Sequence, residues 1–382
     1  MVKGKYMNDN AVTGFAAAGI AAGIKRNNQK DLGLLYSKVP AAAAAVFTRN
    51  RVQAAPVLLD RERIRAGLCQ AVIVNSGCAN CCTGDQGLRD AGAMAGAAAA
   101  ALGIDADRVL VASTGVIGEP LPVEKIVSMA PTLVGALAPD GIPDLAEAIM
   151  TTDTVPKIVT RSGHINGQTF RVTGVAKGSG MIRPDMATML CFVATDVAIS
   201  ADRLQTALTA GVDRSVNRIT IDGDTSTNDT VIVMANGLSG ARVVVAEEAA
   251  SFQEVLDAVL ITLARALVKD GEGVTKLVEI RVSGGASDRE ARQIADTVAH
   301  SNLLKTALFG EDANWGRILA AAGRAGVPIV PDQIDVWFDT VQMVKNGFGC
   351  GKAAEAEATE VLKKDEFEIS LDLKMGGGRA SV

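Results

Sequence analysis

The stretch Lys177-Gly178-Ser179-Gly180-Met181-Ile182-Arg183-Pro184-Asp185-Met186-Ala187-Thr188-Met189-Leu190 constrains this chain more than any other. A polar loop punctuated by Gly and Pro ends at Ala187-Thr188. It passes without a spacer into the apolar run 189–194, which reads as a buried strand. One reading is a plain loop-to-strand junction. The other is a chain that cuts itself. If the Ala187–Thr188 bond opens, Thr188 becomes an N-terminus at the head of a strand. Its hydroxyl is then the nucleophile and its own α-amine the base. A Thr hydroxyl is a weak nucleophile at neutral pH unless a base adjoins it. A free α-amine, with a pKa of about 7.7–8.0, supplies one without any histidine.

Histidine is in fact scarce, with only His164 and His300 in 382 residues. Gly163-His164-Ile165-Asn166-Gly167 reads as a hairpin turn, and His300 closes a helical pattern. Neither is placed for a hydroxyl–imidazole relay. Six cysteines include the cluster Cys78-Ala79-Asn80-Cys81-Cys82. A structural zinc site wants a second pair at matching spacing, and none follows, so free thiols and no metal are expected. The net charge of −5 comes with no basic stripe, which argues against nucleic acid as a partner. No apolar run approaches the ~20 residues of a membrane span, and Met1 to Asn10 has no apolar signal core. A cytoplasmic protein is the expectation.

Hydrophobic residues make up 48% of the chain but aromatics only 3%, so the core must be built of Ala, Val, Ile and Leu. Strand-like and helical runs alternate throughout. Strands are expected at 46–48, 56–59, 71–74, 109–112, 158–160, 169–175, 230–235, 278–282, 334–338 and 366–373, besides the run after Thr188. Helices are expected at 87–102, 124–137, 144–150, 201–216, 248–269, 287–300, 315–322 and 353–362. Hairpins mixed with crossovers favour a layered α/β fold over a pure doubly wound sheet.

Three constellations carry possible chemistry. Val111-Ala112-Ser113-Thr114-Gly115-Val116-Ile117-Gly118 is a strand running into a turn of small residues. Backbone N–H groups beside a Thr hydroxyl suit an oxyanion hole, although an ordinary strand exit looks the same. Thr151-Thr152-Asp153-Thr154 ends a helix with hydroxyls and a carboxylate; it reads as a turn or as the lining of a polar pocket. Lys269-Asp270-Gly271-Glu272-Gly273 sets Glu272 between glycines, either in a surface turn or facing a pocket. Other motifs fail. Asp222 to Val233 has Thr227 and Val233 where a calcium loop needs Gly and Glu. Gly349-Cys350-Gly351-Lys352-Ala353 lacks the first Gly and the hydroxyl of a phosphate loop. Gly178-Ser179-Gly180 precedes a strand, not the helix of a dinucleotide site.

Together these motifs resemble the ornithine acetyltransferase family of arginine biosynthesis, the glutamate N-acetyltransferases labelled ArgJ. The resemblance also rests on Gly19-Ile20-Ala21-Ala22-Gly23-Ile24-Lys25, Asn75-Ser76-Gly77-Cys78-Ala79-Asn80, Asp222-Gly223-Asp224-Thr225-Ser226-Thr227-Asn228-Asp229 and Asp312-Ala313-Asn314-Trp315-Gly316-Arg317. It implies self-cleavage into an α chain ending at Ala187 and a β chain starting at Thr188, assembled as an α2β2 heterotetramer. It implies that Thr188 takes an acetyl group from N-acetylornithine, releasing ornithine, and passes it to glutamate, giving N-acetylglutamate. Thr114 and Gly115 match the oxyanion hole, and Thr151, Lys177, Thr188 and Glu272 match the substrate contacts. The implied fold is a layered α/β architecture resembling the N-terminal-nucleophile hydrolases, with a smaller C-terminal α/β domain. The boundary is expected near 240, giving 1–240 and 241–382. No cofactor is implied, although some members accept acetyl-CoA as donor. Both substrates share a carboxylate, which the Lys177 cation would hold from its loop, and the Glu272 carboxylate would meet the ornithine amine.

Two other readings use the same residues. The nucleophile could hydrolyse amides, as an aminopeptidase does, or the chain could stay whole and only bind a small amino acid. Cleavage separates the last from the rest. Denaturing mass spectrometry should show two chains divided at Ala187–Thr188, and Thr188→Ala should remain one chain; two chains in that variant would refute self-cleavage by the hydroxyl.

Overall fold

The computed structural model describes residues 10–183 and 189–382, so Ala187, Thr188 and the bond between them lie outside the described residues. Among the described residues, the first unit contains fourteen strands and α-helices in chain order. They are β1 (Phe15–Ile20), β2 (Leu32–Phe47), α1 (Ala55–Arg63), β3 (Leu68–Cys78), α2 (Gly84–Leu102), β4 (Val109–Val116), α3 (Val123–Gly135) and α4 (Ile142–Ile149). After these come β5 (Lys157–Ile165), β6 (Gln168–Lys177), β7 (Leu190–Thr195), α5 (Ala201–Arg214), β8 (Thr230–Ala235) and α6 (Ala246–Lys269). Their strands form one eight-stranded mixed sheet in the order β4-β3-β2-β8-β7-β6-β5, with β1 beside β2. The pairs β3–β4 and β7–β8 are parallel and the others antiparallel.

Small side chains explain the layering. In β3, Val72 and Val74 face one apolar cluster while Ala71 and Ile73 face another, so this strand is buried on both faces. The first cluster gathers residues of β2, β3 and β4 with Val175, Leu190, Phe192 and the α4 residues Leu145 and Ile149. The second packs Met94, Ala95 and Ala98 of the Ala-rich α2 onto the opposite face. Helix α2 stops where its sequence says it should. Gly103 takes the left-handed conformation (φ 70°) that a helix C-terminus favours.

Several expectations are corrected. Residues 56–59 are helical, within α1, not a strand. Pro56 sits in the first turn of that helix, where its missing N–H costs nothing, so the same residue that suggests an extended run starts a helix. Strand β2 runs over sixteen residues, far beyond the expected 46–48. Its Ala-rich half gives no period-2 signal, and its pairing with β3 shifts between Tyr36 and Ala41 around Pro40, which has no N–H to offer a ladder. His164 lies on β5 opposite Thr169, and the turn itself is Asn166-Gly167. The division between units falls after Glu272 instead of near 240. Helix α6 is the reason: its Val259 and Leu263 reach Gly174 of β6, and its Val255 reaches Gly163 of β5.

The second unit comprises Arg218–Gly223 and Gly273–Val382. It contains β9 (Leu277–Gly285), α7 (Asp288–Ala299), α8 (Asn302–Phe309), α9 (Trp315–Gly323), β10 (Asp335–Phe338), β11 (Val341–Lys345), β12 (Phe348–Gly349), α10 (Lys352–Leu362), β13 (Glu366–Asp372) and β14 (Gly378–Ser381). Its six-stranded sheet has the order β12-β11-β10-β13-β9-β14. Side-chain caps start three of its helices. Ser287, Ser301 and Asn314 accept the N–H groups of Glu290, Leu304 and Arg317. A separate apolar cluster, including Ile280, Val336, Phe338 and Ile369, fills it. No helix among the described residues is long and apolar enough to cross a membrane.

Phe338 is fully buried in that cluster. Phe338→Ala should lower the stability of this unit by about 3–5 kcal/mol. Amide hydrogen exchange in β13, which pairs with β10, will report it as faster exchange; unchanged protection would contradict the assigned core.

Candidate active site

Strand ends of the first unit converge on one buried cation. Lys177 is the last residue of β6, not a loop residue as expected, and 3% of its side chain is exposed. Its Nζ donates to Thr151 Oγ1 at 2.7 Å and to Thr114 Oγ1 at 3.3 Å. Lys177 thereby joins three residues picked out from the sequence, on β4, the α4–β5 connection and β6. Two of the three ammonium protons already have acceptors in the chain, which leaves little of Lys177 to hold a substrate carboxylate directly.

Asp153 stands behind the cation. Its Oδ1 accepts the Gly178 N–H and the Lys157 ammonium, both at 2.7 Å, and its Oδ2 accepts the Thr151 N–H at 3.0 Å. Lys177 Nζ lies 4.0 Å from Oδ2. Lys157 also reaches Asp270 Oδ2 at 2.6 Å, and Asp270 takes the N–H and hydroxyl of Thr154. Burial raises the Asp153 carboxyl, but Lys177 and Lys157 outweigh that and hold it below its usual value. Burial lowers the Lys177 ammonium from its usual value, with Asp153 opposing the shift most strongly.

Glu272 follows this network closely in the chain. Its N–H donates to the Ser179 carbonyl at 2.7 Å, and Ser179 Oγ lies 2.6 Å from Thr152 Oγ1. Gly180 makes room for the Glu272 side chain, since a Cβ there would lie 2.8 Å from its carboxyl carbon. Glu272 itself is exposed. A carboxylate thus stands at the rim and an ammonium inside.

The oxyanion candidates sit at the ends of the parallel pair β3–β4. Thr114 is buried and Gly115 exposed. Gly115 has φ 133°, and a Cβ on it would fall 2.3 Å from the Gly77 carbonyl carbon. Asn75 and Asn228 fix these ends. Ser113 Oγ donates to Asn75 Oδ1 at 2.6 Å, and Asn228 Nδ2 donates to the carbonyls of Ala79 and Ser113 at 2.7 and 2.8 Å. A cavity of about 330 Å³ opens alongside, lined by Lys25, Arg26, Gly77, Val116 and Glu119 among others.

The discarded Asp222–Asp229 motif proves to matter for another reason. Asp229 is fully buried, and its Oδ1 accepts the Met189 N–H at 3.0 Å while Thr230 N–H donates to the Met189 carbonyl at 3.1 Å. The residue after Thr188 is held at both backbone groups. Burial pushes the Asp229 carboxyl well above its usual range, against the Met189 N–H and the Lys177 cation. Sequence reasoning placed Asp153 in a possible pocket lining but gave it no role, and did not single out Lys157, Asp270, Asn228 or Asp229 as site residues. Only their type, charged and amide side chains beside otherwise apolar stretches, could have marked them. Thr188 and Ala187 lie outside the described residues, and no cluster that could hold a metal occurs among the described residues.

The ArgJ family profile matches residues 16–382. The arginine biosynthesis bifunctional protein ArgJ of Geobacter sulfurreducens is 50% identical over 97% of this chain and 95% of its own. That of Symbiobacterium thermophilum is 51% identical over 97% and 93%. Among solved structures, ornithine acetyltransferase from Mycobacterium tuberculosis in complex with ornithine is 41% identical, with a TM-score of 0.41 over 46% of this chain and 93% of that one.

The backbone of Gly115 gives the sharpest local test. Gly115→Ala meets both a left-handed φ and the Gly77 backbone, and should cost about 1–3 kcal/mol of stability. A lowered urea midpoint is expected; an unchanged midpoint would contradict the geometry of this strand end.

Proposed function

The chain belongs to the ArgJ family, and on that premise we propose that it carries an acetyl group from N-acetyl-L-ornithine to L-glutamate on the Thr188 hydroxyl. It is an acetyltransferase of arginine biosynthesis. The observation that supports this reading best is Lys177 donating to Thr114 Oγ1 while its own backbone pairs with Leu190, two residues after Thr188. A Thr114 oxygen that accepts from a cation turns its own proton outward. That proton and the Gly115 N–H would then meet the oxygen of a tetrahedral intermediate as its charge develops.

The steps balance with the chain's own groups. After the Ala187–Thr188 bond is cleaved, the free α-amine takes the Thr188 hydroxyl proton as the oxygen attacks the acetyl carbonyl of N-acetylornithine. The intermediate collapses, the C–N bond breaks, and the proton goes to the departing ornithine amine. Glutamate then attacks the acetyl ester by the reverse sequence and leaves as N-acetylglutamate. One pocket serves donor and acceptor in turn, which requires ping-pong kinetics. Acetyl-CoA is the second donor under this reading, since it would load the same hydroxyl; the relatives are described as bifunctional. The self-cleaved chains are proposed to assemble as α2β2 heterotetramers in the cytoplasm.

Glu272, at the rim, is proposed to meet the ornithine amine, and Lys177 to act through Thr114. The two assignments separate in kinetics. Glu272→Gln should weaken N-acetylornithine more than glutamate, by ~1.5–3 kcal/mol in KM terms, the worth of a charged hydrogen bond. Lys177→Met should lower kcat, with little change in either KM. Equal KM effects on both substrates in Glu272→Gln would refute the first, and unchanged kcat in Lys177→Met the second. Double-reciprocal plots at several glutamate concentrations test the reaction itself: parallel lines are expected, and intersecting lines would reject the acetyl-enzyme.

A further inference from the structure

We propose that Asp153 is a positioning residue, whose carboxylate clamps the Thr151 and Gly178 N–H groups and fixes the Lys177 ammonium, 4.0 Å away, against the Thr114 and Thr151 hydroxyls. It touches neither the proposed nucleophile nor, on this reading, the substrate. It acts through Lys177. The part that concerns Thr114 rests on the acetyl-transfer reading; the hold on Lys177 does not.

The argument begins with what keeps the carboxylate still. Asp153 is buried, and its two oxygens accept three hydrogen bonds from fixed donors: two backbone N–H groups and the Lys157 ammonium. These donors belong to the α4–β5 connection, β5 and the residue after Lys177. The carboxylate cannot rotate without breaking one of them. Thr151, the hydroxyl acceptor of Lys177, is held by the same side chain through its backbone. Gly178, whose N–H binds Oδ1, is the residue next to Lys177. Asp153 therefore sets both the cation and one of its two hydroxyl acceptors.

Charge gives the second half. The charged groups facing Lys177 are Asp153 and Asp229, which favour the ammonium, and Lys157 and Lys25, which oppose it. Burial opposes it more than either lysine. Asp229 is the weaker of the two counterions. Asp153, 4.0 Å away, is the stronger, and Lys157 shares it. A neutral Lys177 keeps two N–H groups for the two hydroxyls, but it would no longer polarise Thr114 as a cation does. Asp270 extends the same set to the end of α6, two residues before Glu272, through Lys157.

The substitutions Asp153→Asn and Lys157→Gln should move Lys177 in opposite directions. Asn removes the charge and keeps an oxygen for only one of the two N–H groups. Gln at 157 leaves the whole Asp153 carboxylate to Lys177 and removes an opposing cation. The experiment uses the full-length, self-processed protein labelled with 13Cε-lysine, with the Lys177 resonance assigned by its loss in Lys177→Met. In Asp153→Asn that resonance should titrate about one pH unit or more lower than in the parent protein, and in Lys157→Gln higher. The alkaline limb of kcat/KM should shift the same way in each variant. An unmoved resonance in a folded Asp153→Asn overturns the proposal, as does a shift in the same direction in both variants. Should Asp153→Asn fail to fold, Lys157→Gln decides alone: an upward shift supports the proposal and no shift overturns it. If the resonance moves as expected in a protein that transfers no acetyl group, Asp153 keeps its hold on Lys177 and the acetyl-transfer reading falls instead.

Discussion

A lysine ammonium buried at the end of a strand must find its compensation inside the protein, and the candidate site is arranged around that need. Removing a charge from water costs several kcal/mol unless partners replace the lost hydration. For Lys177 those partners are the Thr151 and Thr114 hydroxyls and the nearby Asp153 carboxylate. They come from two places in the fold, so satisfying one ammonium draws the end of β4 and the connection after α4 to the end of β6. The pairing of Lys157 with both Asp153 and Asp270 carries the arrangement to the end of α6 and so to Glu272. Breaking such a set by removing one member leaves an unpaired buried charge. That is why its members hold one another in place.

The sheet supplies the rigid frame. Parallel pairing of β3 with β4 brings Gly77 level with Gly115, and Gly115 allows the backbones to approach where a Cβ on it would collide with Gly77. Asn228 ties the same ends to the loop before β8 through two carbonyls. On the other side of that loop Asp229 and Thr230 hold Met189 by its N–H and C=O. One segment, Asn228–Thr230, thus fixes both the proposed oxyanion strand and the residue that follows the proposed nucleophile.

Much of this is legible in the sequence, for physical reasons that differ by element. Strand β8 matches the expected 230–235 because an uninterrupted apolar run between polar loops has few other uses. Helices α5 and α7 start where Ser200 and Ser287 offer cap oxygens to the N–H groups of Arg203 and Glu290. Most of β2 is hidden, because a run of alanines carries no period and its burial is decided by neighbours far along the chain. The first-turn role of Pro56 is hidden because proline is compatible with both outcomes. At the site, Thr114, Thr151 and Lys177 can be picked out by motif and resemblance. That Lys177 points inward, with Asp153 behind it, cannot. The contacts that hold this arrangement join positions 25 apart, for Asp153 with Gly178, and 113 apart, for Lys157 with Asp270. They depend on how the strands and helices pack, and no local pattern announces them.

The central claim is that Thr188 carries the acetyl group as an ester, and a peptide mass map of the processed protein tests it most directly. The protein is incubated with N-acetylornithine alone, quenched in acid and digested. The account predicts release of ornithine together with a peptide that begins at Thr188 and bears one acetyl group, which neutral hydroxylamine removes and added glutamate discharges. An unmodified Thr188 peptide after ornithine has been released, or an acetyl group found only on a lysine, would contradict it.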